Sequence, residues 1–245
     1  MTHLRSKPFM AAALLAITAT VTGCATTTAP SSSTEPGKMT VHSSAPLLPS
    51  ALFPGSAEYF QGWNCQPASQ HLVTATNAND LRLWSLHGAW RLPQAVVASG
   101  ARYQEGDISF WNRGEQALVE TPRGQLQCQL AEQRRGMTRA EQPGVMFLGR
   151  GNEPGWSVAL AHDEPSLTLQ LNYGQESHTF PYMVSVMDNQ AGRVVLENAQ
   201  MEPFFRVRIE AGACFDDMSG EPFPARVTLT YGGQQYSGCG QGIAP

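Results

Sequence analysis

Asp216 and Asp217 stand side by side just after Cys214, and paired carboxylates are a common means of general acid–base chemistry. Neighbours in a strand project to opposite faces, so a solvated loop is the simpler account of them. The histidines of the body, His71, His87, His162 and His178, are scattered, with no HExxH or other metal-ligand spacing. No GxSxG elbow and no SxxK is present. Gly149, Gly151 and Gly155 lack both the dinucleotide-binding spacing and a following Lys-Ser/Thr. These absences lead us to expect a protein that is not an enzyme, with no cofactor and no metal.

The cysteines carry a different chemistry. Arg5 and Lys7 precede Phe9–Val21, an uncharged stretch too short to span a bilayer but suited to a secretory leader. It ends in Val21-Thr22-Gly23-Cys24, which resembles the lipobox of bacterial lipoproteins. That resemblance implies a leader over 1–23 and lipid on the Cys24 thiol. With Ala25 rather than Asp next in line, it also implies an outer-membrane anchor facing the periplasm. Cys65, Cys128, Cys214 and Cys239 remain, and an even number in an exported chain implies disulfides. Of the three pairings, 65–128 with 214–239 is preferred, because each bond then closes one module.

Only 15% of residues are charged and 42% are apolar, enough to build a core. The net charge of −4 supplies no basic footprint for nucleic acid. Loss of Arg5 and Lys7 with the leader would take it to −6. Residues 24–55 are rich in Ser, Thr and Pro and read as a flexible tether. Beyond it, short alternating runs recur: Leu126, Cys128 and Leu130; Leu167, Leu169, Leu171 and Tyr173; Phe180, Tyr182, Val184 and Val186; Val207 and Ile209; Val227, Leu229 and Tyr231. Period-two alternation places one face on a core and the other in water. Gly232-Gly233 is a two-residue hairpin signal. We expect an all-β protein of two small antiparallel modules, over 56–131 and 150–245, with a linker at 132–149.

The most informative stretch is 96–120. Ser99-Gly100 reads as a turn, Ala101–Tyr103 and Ile108–Trp111 as strands, Asn112-Arg113-Gly114 as a turn, and Ala117–Val119 as the return strand. Phe110 and Trp111 are adjacent and cannot both face inward, so one is expected at the surface. Composition alone makes this no more than a hairpin with a solvated arginine.

The motifs say more. Trp63-Asn64-Cys65, Ser99-Gly100-Ala101-Arg102-Tyr103, Phe110-Trp111-Asn112-Arg113-Gly114-Glu115-Gln116-Ala117 and the closing Cys128 resemble the MliC family, the membrane-bound inhibitors of c-type lysozyme. The resemblance covers about Tyr59–Leu130. It implies a small antiparallel β-barrel whose loop serine and basic residue enter the lysozyme cleft and bond its catalytic carboxylates. On this chain those residues are Ser99 and Arg113, supported by Gly100, Arg102, Tyr103, Trp111 and Gly114, with Tyr103 and Trp111 as scaffold. Arg113 stands where the family usually has lysine. Its planar fork grips a carboxylate bidentately, though it is bulkier than an ammonium. The implied partner is c-type lysozyme. The alternative is a non-inhibitory envelope lipoprotein whose first module has drifted at Arg113.

Residues 150–245 carry five basic and eleven acidic side chains. Their Asn152-Glu153-Pro154-Gly155-Trp156 and Cys214–Gly220 stretches resemble an uncharacterised domain of bacterial envelope lipoproteins. A platform for a cationic or glycan partner and a structural spacer both fit, with Asp216 and Asp217 the first residues to test.

Overall fold

The computed structural model describes residues 43–67, 69–198 and 202–243. The leader, Cys24 and the tether up to residue 42 lie outside the described residues. Eight strands form an antiparallel meander: β1 (Tyr59–Gln66), β2 (Gln70–Thr76), β3 (Asp80–Ser85), β4 (Gly88–Ala95), β5 (Ala101–Glu105), β6 (Ile108–Asn112), β7 (Gln116–Thr121) and β8 (Gly124–Arg135). β1 pairs with β8 and closes them into a barrel. Nine more follow: β9 (Val145–Asn152), β10 (Gly155–Ala161), β11 (Ser166–Leu171), β12 (Glu176–Pro181), β13 (Met183–Asp188), β14 (Arg193–Glu197), β15 (Phe205–Phe215), β16 (Pro222–Tyr231) and β17 (Gln234–Gly242). They form one antiparallel sheet in the order β12-β11-β10-β9-β17-β16-β15-β14-β13. The all-β expectation holds, and disulfides join Cys65 to Cys128 and Cys214 to Cys239.

The alternating runs form strands where one face is covered. Leu167, Leu169, Val207, Ile209 and Leu229 are fully buried. Gly232 and Gly233 both have positive φ, +57° and +80°, as the tight turn between β16 and β17 requires. Two runs depart from expectation. Tyr173 leaves the strand for a left-handed position (φ +59°) and is 77% exposed. The 180–186 run is two strands rather than one. Tyr182 alone joins β12 to β13, which stand at opposite ends of the strand order, and the pairing of β13 with β14 shifts register between Val184 and Val186, both of which are exposed.

Inside the barrel Trp63 meets Phe110 edge-on, ring centroids 5.3 Å apart, among Leu81 and Leu92. Trp63 Nε1–H donates to Thr74 Oγ1 at 2.9 Å, which satisfies both buried groups. Strands β1–β3 are buried on their outer side as well. Phe60, Val73, Ala75 and Trp84 share one continuous core with Phe147, Val207, Ile209 and Val227 of the second sheet. Gly62 makes the approach possible, because a Cβ there would lie 2.7 Å from the Phe215 ring. Arg134 clamps the seam. Its Nε–H donates to the Pro222 carbonyl at 3.1 Å, and its guanidinium lies 3.9 Å from the Phe223 ring centroid and 4.9 Å from that of Phe60. Burial lowers its pKa to about 10, with Glu221 opposing and Arg150 reinforcing the shift, so it stays charged at neutral pH.

The far end of the tether needs correcting. Residues 43–55 are held on the body instead of hanging free. Leu52 is fully buried. Arg82 Nη1 donates to the Ser50 and Phe53 carbonyls at 2.6 and 3.1 Å, and Trp84 Nε1 to the Ala51 carbonyl at 2.7 Å. The apolar residues Leu47, Leu48, Leu52 and Phe53 end the polar composition of the tether, and three of them pack on the core. Residues 132–149, read as a linker, hold the end of β8 and the start of β9.

Candidate functional site

The two turns that carry Ser99 and Arg113 meet at one rim of the barrel. β5 and β6 pair with Ala101 opposite Asn112, which brings the ends of both loops together. Trp111 Nε1–H donates to the Ser99 carbonyl at 3.2 Å. The Arg113 guanidinium lies over the same indole, 3.7 Å from the ring centroid, in cation–π geometry. One side chain thus touches both candidate residues. Gly100 sits between them at φ +70°, where a Cβ would come within 2.7 Å of the Asn112 carbonyl oxygen and 3.1 Å of Trp111 Nε1. Only glycine fits there without moving the loop.

The other motif residues divide between scaffold and surface. Phe110 is fully buried and Trp111 half-buried, so Trp111 is the outward member of that pair. Tyr103 is 5% exposed in the barrel core, and burial raises its phenol pKa. Arg102 pairs with Glu120 at 2.7 Å, and its guanidinium lies 5.8 Å from the Trp111 ring. Ser109 Oγ donates to the same Glu120 oxygen at 2.9 Å. In the β6–β7 turn the Gly114 N–H donates to Asn112 Oδ1 at 2.9 Å, and the Arg113 N–H to the Gln116 carbonyl at 2.8 Å. Ser99 and Arg113 are both exposed, and among the described residues Arg113 has no acidic partner. One indole holds the Ser99 backbone and backs the Arg113 guanidinium, and an exposed guanidinium beside an exposed serine is suited to holding a carboxylate of another molecule.

Sequence reasoning missed what lies beside Arg113. A cleft of about 490 Å³ opens there, floored by Ala117 and Cys128. Its walls are amides in two cross-strand rows: Asn64 opposite Gln129 opposite Gln116, and Gln66 opposite Gln127. Gln127 and Gln129 alternate visibly in the sequence, but only the barrel register aligns them with β1 and β7.

The second sheet explains its two sequence signatures. Asn152 Nδ2 donates to Asp216 Oδ2 at 2.9 Å, so the 152–156 and 214–220 stretches meet. Asp216 Oδ1 also accepts from the Met218 and Ser219 N–H groups and from Ser219 Oγ, at 3.1, 2.9 and 2.9 Å. It is buried, whereas Asp217 is exposed, so the two carboxylates do not converge as an acid–base pair. Burial pushes the Asp216 pKa up, but the bonds from Ser219, Asn152 and Met218 outweigh it, and the net shift is downward. A lowered folded-state pKa contributes stability at pH values above the ordinary aspartate range. That contribution fades as pH falls through the lowered value. Asp216→Ala is expected to cost about 1–3 kcal/mol by leaving those donors unpaired. Urea unfolding from pH 2 to 7 should show the variant with a flatter acid limb.

Residues 63–127 match the family model described as membrane-bound lysozyme-inhibitor of c-type lysozyme, MliC. No curated protein gives a significant match to the chain. The match falls within β1–β8 and leaves the second sheet outside it. The match takes in about a quarter of the chain, and all of it lies in the barrel, which is thus similar to this inhibitor family.

Proposed function

We propose that this chain inhibits c-type lysozyme from a membrane anchor at Cys24, with Ser99 and Arg113 entering the enzyme's active-site cleft. The observation that carries the proposal is the joint contact of Trp111 with the Ser99 carbonyl and the Arg113 guanidinium, within a barrel matched to the inhibitor family. The chemistry follows from the target. Lysozyme needs one carboxyl protonated as general acid and a second ionised. A guanidinium within a few ångströms favours the ionised form of that acid and so removes its proton. The same side chain occupies the space of a sugar, and the Ser99 hydroxyl supplies a second bond.

Two polar contacts cannot hold a protein partner by themselves. The amide-walled cleft beside Arg113 offers neutral donors and acceptors for a wider contact. Asp216 acts in the turn of the second sheet, so a structural role for that stretch needs no ligand. The proposal is tested with the full chain, because excising the barrel would expose Phe60, Val73 and Trp84. Purified chain added in excess to a c-type lysozyme should stop lysis of cell-wall substrate. An unchanged lysis rate would overturn the proposal.

A further inference from the structure

The barrel has a second opening, at the end opposite Ser99 and Arg113. In an up-and-down meander alternate connections lie at opposite ends. The Ser99 and Arg113 turns join β4 to β5 and β6 to β7, whereas the β1–β2, β3–β4, β5–β6 and β7–β8 turns form the other rim. A cavity of about 550 Å³ enters there, and no residue of the second sheet lines it. Its floor is Leu72, Leu83 and Val119, each no more than 3% exposed. Trp90, Ile108 and Leu126 form half-buried walls. The barrel core stops short of this end, where the walls keep apolar surface that no side chain among the described residues covers.

The rim is chemically different from the walls. Arg123, at the tip of the β7–β8 turn, lines the mouth beside His87, and no carboxylate is among the lining residues. Arg123 has no ion-pair partner among the described residues. Glu105 and Asp107 lie on the neighbouring β5–β6 turn but outside the lining. We infer that this mouth binds a single unbranched alkyl chain ending in an anion, with the chain among Leu72, Val119 and Leu126 and the anion on Arg123. Three features select that class. An eight-stranded barrel is narrow inside and admits one slender ligand. The apolar lining selects for hydrocarbon. The lone formal cation on the lining selects for a negative head.

Calorimetric titration of the full chain with dodecanoate and with dodecyl phosphate, below their micelle concentrations, tests the inference. The two arms separate a carboxylate from a phosphate source. At least one should bind saturably at one site, and dodecanol and dodecyltrimethylammonium should bind at least about tenfold more weakly, the size of one charge-assisted bond. Arg123→Gln, an exposed change that leaves the fold intact, should weaken the anion about tenfold and leave dodecanol unaltered. Leu126→Trp should fill the cavity and abolish binding, with far-ultraviolet circular dichroism checking its fold. No binding of either anion, equal binding of the cationic chain, or an Arg123→Gln variant that binds like the parent would each overturn the inference.

Discussion

Changing Ser99 and Arg113 together to alanine should raise the concentration of this chain needed to halve lysozyme activity by about 10²- to 10⁴-fold. Each side chain is assigned a charge-assisted contact with a carboxylate, and a contact of that kind contributes at least about 1.5–3 kcal/mol, or about tenfold to a hundredfold each. The two act on one small site, so coupling between them moves the sum within that range. The loss should fall on inhibition alone. Both residues are exposed, Ser99 is held through its carbonyl rather than its hydroxyl, and surface changes of this kind shift stability by about 0.5 kcal/mol or less. Arg113→Lys keeps the charge but loses the planar fork, so it should recover part of the lost inhibition. Inhibition unchanged in the double variant would remove these residues from the site.

Trp84→Ala should destabilise the barrel and the second sheet in one step, by about 3–5 kcal/mol. Trp84 is 1% exposed on the outer side of β3, within the core shared by both sheets. Its ring centroid lies 5.9 Å from that of Phe60, and its indole N–H holds the Ala51 carbonyl. Removing it empties the seam, and the 43–55 segment loses a partner. Equilibrium unfolding in urea, followed by tryptophan fluorescence and by circular dichroism, should give coincident curves in parent and variant, with the midpoint lowered in the variant. A variant whose second sheet keeps the parent midpoint while the barrel melts early would show two independent units.

The strands were legible in the sequence where only one face is covered, as in Leu167–Leu171 and Val227–Tyr231. Strands β2 and β3 bury both faces, so their apolar residues show no clean alternation and gave no sign of a second partner. The shared core was hidden for the same reason: periodicity marks a face as buried without naming what buries it. The crossing at Tyr182 kept a period-two pattern through a change of sheet edge and so passed for one strand. At the site, Ser99 and Arg113 came from motif resemblance. That one of Phe110 and Trp111 faces outward was legible, but which one, and the double contact it makes, were not, because they depend on how the β4–β5 loop folds over β6. The amide rows of Asn64, Gln129 and Gln116 span three strands and exist only in the closed register. The Asn152–Asp216 bond likewise joins residues 64 positions apart.

The most direct test of cleft insertion is competition with a sugar. The affinity of the full chain for a c-type lysozyme should be measured by calorimetry with and without a saturating N-acetylglucosamine oligomer in the active-site cleft. Mutually exclusive binding is predicted, with apparent affinity falling in proportion to oligomer occupancy. An affinity that the oligomer leaves untouched would place the contact outside the cleft and contradict the account.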